Sequence, residues 1–109
     1  MSYDEGLAER IREVLDSQDG VIEKKKFGGL AFMVRGHMCC GVSRDDLMLR
    51  VGPEQYDDAL NQPHARAMDF TGRPMKGFVY VGPEGLVSDE QLEAWLGRGL
   101  RFVQSLPPK

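Results

Sequence analysis

The sequence predicts an α+β fold in which one antiparallel sheet of about five to six strands packs against helices. Between residues 21 and 51 the apolar pattern runs in four short β-prone stretches divided by glycine or Ser-Arg-Asp-Asp punctuation. Helical periodicity is confined to the two ends of the chain and one brief central segment, so the order is α-β-β-β-β-α-β-β-α, without the strand-helix-strand alternation of a parallel doubly wound sheet. With 109 residues, of which 41% are hydrophobic, the chain can fill one core but not two, and residues 1–109 are read as a single domain.

Ser2 followed by Glu5 has capping-box spacing, and Leu7, Ile11, Val14 and Leu15 share one stripe of a helix that ends near Asp19-Gly20. Strands are expected at residues 21–26, 30–34, 38–42 and 47–51. Arg35-Gly36 is a two-residue hairpin signal, and residues 43–46 read as a slightly longer turn. Pro53 suits the first position of a short helix, where its missing N–H is not needed, and Asn61-Gln62-Pro63 ends that helix. Strand-like runs at 65–70 and 76–81 are joined by Thr71-Gly72-Arg73-Pro74. Ser88 and Gln91 repeat the capping-box spacing ahead of a helix striped by Leu92, Trp95, Leu96, Val103 and Leu106, which Pro107-Pro108 stops. Its interior Gly97 and Gly99 each give up about 1 kcal/mol relative to alanine, which points to close packing. Residues 30–34 and 78–81 are apolar at both parities, so both sheet faces need cover. Helices cover one face; the other is closed by the chain itself, by a partner or by a second copy in a homodimer.

Seventeen acidic against fourteen basic side chains give a net charge of -3, which disfavours direct nucleic-acid binding because phosphate neutralisation supplies most non-specific affinity. The longest uncharged apolar stretch, residues 27–34, is far short of the roughly 20 residues of a membrane helix, and the start of the chain lacks a basic-then-apolar export signal. Two adjacent cysteines make no disulfide framework, so a reducing, cytoplasmic setting is expected.

Lys24, Lys25 and Lys26 end a strand, and alternation sends two of them to one face and the third to the other. This basic edge suits an acidic partner surface, although edge lysines also serve simply to discourage aggregation. Gly28-Gly29 reads as a backbone bend, since no phosphate-binding helix start or Lys-Ser/Thr follows it. His37 and Cys39 are expected on one strand face with Cys40 on the other, so even with His64 a closed metal site is not predicted; Cys40 reads as a packed hydrophobe. Arg73 falls on an exposed turn, where contact with a partner is open to it. No catalytic set and no cofactor loop can be assembled, so catalytic, cofactor and metal residues are all expected to be none.

Four ordered blocks carry a resemblance: Lys24-Lys25-Lys26-Phe27-Gly28-Gly29, Gly36-His37-Met38, the strand from Leu47 to Gly52, and the run from Met68 to Met75 followed by the closing helix. Together they resemble the N-terminal domain of the TfoX/Sxy family of competence regulators, with Lys26 standing where members usually carry methionine. The chain resembles the single-domain members. The resemblance implies a secretion-chaperone-like α+β fold, no enzyme activity, and a regulatory, protein-binding role whose best-known theme is competence-gene transcription through the cyclic-AMP receptor protein. The surface expected to meet a protein partner comprises Lys25, Lys26, Phe27, Gly28, Gly29 and Arg73. The alternative is a small-ligand protein or enzyme with a pocket near His37, Cys39 and Arg73.

Overall fold

Asp4, not Ser2, starts the first helix. In the computed structural model, which describes residues 3–26, 28–69 and 72–107, its carboxylate accepts from the Gly6 and Leu7 N–H groups at 2.8 and 3.2 Å, pairing donors that a helix start leaves open. Ser2 lies outside the described residues. Helix α1 spans Glu5–Leu15 and buries Leu7, Ala8, Ile11 and Leu15. It stops short of Asp19-Gly20, where Asp16, Ser17 and Asp19 are poor helix formers and Gly20 takes a φ of 74°.

Strands β1 (Val21–Lys26), β2 (Gly29–Val34), β3 (His37–Ser43) and β4 (Asp46–Arg50) then pair antiparallel in succession. Arg35 and Gly36 both take positive φ, 56° and 86°, as a two-residue hairpin loop with the right twist demands. The next loop is equally tight: Ser43 pairs with Asp46, leaving only Arg44 and Asp45 between strands where the sequence suggested a longer turn.

Pro53 lies in the turn before helix α2 (Tyr56–Leu60), not at its first position. Strands β5 (Ala65–Ala67) and β6 (Phe78–Val81) are shorter than the runs at 65–70 and 76–81. Between them the chain leaves the sheet in a loop closed by the Met75 N–H donating to Met68 O at 2.8 Å. A 3-10 turn over Pro83–Leu86, not anticipated, leads into helix α3 (Asp89–Gln104). Its capping box is formed as expected, with Gln91 N–H on Ser88 Oγ at 3.1 Å and Ser88 N–H on Gln91 Oε1 at 3.0 Å.

All six strands join one antiparallel sheet in the order β1-β2-β3-β4-β6-β5, giving the α+β fold and element order that the sequence predicts. Leu30, Phe32, Val34, Val42, Leu47, Leu49, Val79 and Val81 face the helices and are buried with Ile11, Leu92, Leu96 and Val103. On the other face Ala31, Met33, Met38 and Met48 cluster with Met68, with Met75, Phe78 and Tyr80 packed alongside. The second face is therefore closed by the chain itself, through the loop between β5 and β6. Flexible methionine chains suit a cover made by a loop, because they fill irregular gaps that a helix would pack with leucine.

The pairing of β2 with β3 slips between Phe32 and Met33: Phe32 opposes Cys40, whereas Met33 opposes Met38. Cys39 is thus the extra residue of a bulge, and both cysteines join the helix-side core. This corrects the expected alternation, in which Cys40 pointed away from Cys39. Gly99 of α3 lies against the bulge; a β-carbon there would stand 2.8 Å from Leu49 Cδ1 and 3.1 Å from Cys39 O. Gly97 meets nothing closer than an Arg101 nitrogen at 3.7 Å, so close packing accounts for one glycine of the pair.

Candidate functional site

The Lys-rich strand and its two glycines form one edge of the sheet. β1 has a neighbour on one side only, and residues 22–26 are all exposed. Ile22 opposes Met33 and Lys24 opposes Ala31, so Ile22, Lys24 and Lys26 lie on the methionine face, while Val21, Glu23 and Lys25 lie on the helix face. The lysines divide two and one between the faces, as alternation predicts.

Glu23 does not offset this basic charge freely. The Arg12 guanidinium holds it in a bidentate grip, Nε to Oε2 at 2.7 Å and Nη2 to Oε1 at 2.9 Å, and also reaches Glu9. That pairing holds the Glu23 carboxyl below its ordinary pKa, with burial opposing only in part. Among the described residues Lys24, Lys25 and Lys26 make no ion pair. The edge therefore presents three lysines on a strand whose own carboxylate, Glu23, is already held by Arg12.

The glycines have separate tasks. Gly28 has φ of 73°, in the left-handed region, just ahead of Gly29, which pairs with Lys26. Gly29 is buried, and a β-carbon on it would fall 2.0 Å from Val42 O and 3.0 Å from Ser43 Cα, so β3 can approach only a bare backbone. Both positions serve the sheet. Phe27 lies outside the described residues.

Arg73 is exposed in the loop between β5 and β6. β6 and β5 lie across the sheet from β1, four and five strand spacings or about 19 and 24 Å away, although their loop leans back over the methionine face. His37, on β3, places Nε2 2.7 Å from Pro107 O. Cys39 and Cys40 are wholly buried, and the Cys40 thiol is pushed well above its ordinary pKa by its hydrogen bond with Cys39 and by burial. His64 sits in the turn before β5, beside Gly85. His37, Cys39 and Arg73 thus do not converge on one pocket, and His64 does not join the cysteines. Among the described residues no group of three or more His, Cys, Asp and Glu could hold a metal ion, and no helix is long and apolar enough to cross a membrane.

Two features had no sequence signal. The Arg12–Glu23 pair joins residues eleven apart through tertiary structure alone. A hollow of about 310 Å³ lies between Pro53, Glu54 and Gln55 on one side and Arg98, Arg101 and Phe102 on the other. Arg98 is already committed there, to Asp58 at 2.9 Å and to the Trp95 ring at 5.3 Å. On a helix these arginines read as an ordinary solvated face.

The family model described as the TfoX N-terminal domain matches residues 13–103, a span that takes in every strand, nearly all of α3 and the last three residues of α1. A search of curated proteins finds no match.

Proposed function

The chain belongs to the TfoX N-terminal domain family, and on that footing we propose that it is a non-enzymatic regulatory module of the cytoplasm, docking a protein partner of competence-type transcription through its β1 edge. The observation that carries this reading is the charge arrangement at β1: three exposed lysines on an edge strand, beside a glutamate already held by Arg12. A surface of that kind attracts an acidic partner and orients it by contact, which needs no reacting group. Gly28 and Gly29 hold the hairpin that displays it. Arg73 extends the surface from the loop over the methionine face.

A promoter-reporter measurement in the native cell tests the proposal. Deletion should change output from competence-type promoters, and the wild-type chain should restore it where Lys25→Glu does not. Unchanged output on deletion, together with no transcription protein retained by the tagged chain, would overturn it.

A further inference from the structure

We propose that β1 binds its partner by strand addition, taking an extended acidic segment of another protein as a seventh, antiparallel strand. This rests on the docking role of the same edge and specifies what occupies it. Gly20 O accepts from the Arg35 N–H at 3.3 Å, and pairs in an antiparallel ladder alternate between bonded and unbonded. Counting from that pair, Ile22, Lys24 and Lys26 turn their backbone groups toward β2, whereas Val21, Glu23 and Lys25 turn theirs outward. The outer edge thus offers an N–H and a C=O at every second residue, and residues 22–26 are exposed along it.

The side chains select the sequence that would lie there. Directly opposite residues share a face, so an antiparallel segment meets Lys26, Lys25 and Lys24 in turn, passes the occupied Glu23, and reaches Ile22. Ile22 is 56% exposed beside the methionine cluster and offers an apolar contact. From its own N-terminus the fitting segment reads three acidic residues, one of any type, and one apolar residue. A second copy fits poorly. Antiparallel pairing of β1 with itself gathers six lysines on one ribbon, and the nearest register that joins outward-facing backbone groups without lysine opposite lysine sets Ile22 against Lys24 and Glu23 against Glu23.

The test uses a fluorescein-labelled peptide carrying Asp-Glu-Asp-Thr-Val between Gly-Ser flanks, and the same peptide N-methylated at its glutamate and threonine, the residues that would bond Lys25 and Glu23. Anisotropy should show the first peptide binding the wild-type protein and weakening about tenfold or more with Lys25→Glu or Lys24→Glu, each checked for an unchanged unfolding midpoint. The N-methylated peptide keeps its charge and should lose binding. Amide exchange should slow at Glu23 and Lys25 on peptide addition and stay the same at Lys24, whose N–H already faces β2. Equal binding of the two peptides, absence of binding by either, or a dimer that Lys25→Glu dissolves would overturn strand addition. Failed promoter rescue by Lys25→Glu without peptide binding removes only this inference; peptide binding with full rescue by that variant keeps the strand site and removes the regulatory reading.

Discussion

Replacing Gly29 with alanine separates a structural motif from a functional one. Propensity alone favours the change, since glycine inside a strand costs roughly 0.5–1 kcal/mol relative to alanine, and Gly29 does not take a positive φ. The structure reverses the sign. A β-carbon 2.0 Å from Val42 O falls about 1.4 Å short of ordinary contact, which begins at 3.4 Å. Relieving that overlap widens the gap between β2 and β3 near Leu30 and Val42, at the expense of about two ladder bonds worth roughly 1 kcal/mol each and some core packing. After subtracting the propensity gain, the net loss is about 2–3 kcal/mol, and the urea midpoint should fall by about 1 M or more. The single tryptophan, Trp95, lies in the core and reports unfolding by fluorescence. Gly28→Ala, strained by its φ of 73°, should lose less, about 1–2 kcal/mol. A Gly29→Ala protein as stable as wild type would refute the close approach, and with it the structural account of the double glycine.

Three further outcomes follow from other contacts. Gly99→Ala should destabilise by about 1–2 kcal/mol because its methyl meets Leu49 and Cys39, while Gly97→Ala, whose methyl makes only an ordinary contact with Arg101, should gain up to about 1 kcal/mol; urea midpoints of opposite sign check the pair. The two buried thiols should react with a disulfide reagent only as fast as the protein opens, slowly at about pH 8 and fully in urea, and prompt native labelling would contradict their burial. Glu23→Gln should cost at most about 1 kcal/mol, since the pair with Arg12 is more than one-third exposed. Glu23 has a lowered folded pKa, so its contribution is present above the ordinary carboxylate range and disappears as pH falls through the lowered value; unfolding curves of variant and wild type should separate near neutrality and converge in acid.

Much of the fold was readable because turn chemistry and period are local. Arg35-Gly36 and the Ser88/Gln91 box each act within four residues, and both formed as expected. The β3 bulge was not readable: nothing in Met38-Cys39-Cys40 marks an extra residue, since the slip depends on what β2 and α3 place opposite it. Closure of the second face was equally hidden, because Met68 and Met75 reach it from a loop without periodicity. For the candidate site, the exposure of the lysines and the split between faces followed from strand alternation. The neutralisation of Glu23 did not, because Arg12 reaches it only after α1 docks.

Quantitative affinity capture with three tagged forms of the chain tests contact through β1 most directly. Wild type and Arg101→Glu, a charge reversal on the exposed side of α3, should retain the same proteins from an extract of the native cell, and Lys25→Glu should lose them while unfolding at the wild-type midpoint. Equal retention by all three forms would contradict a docking role for the lysine edge.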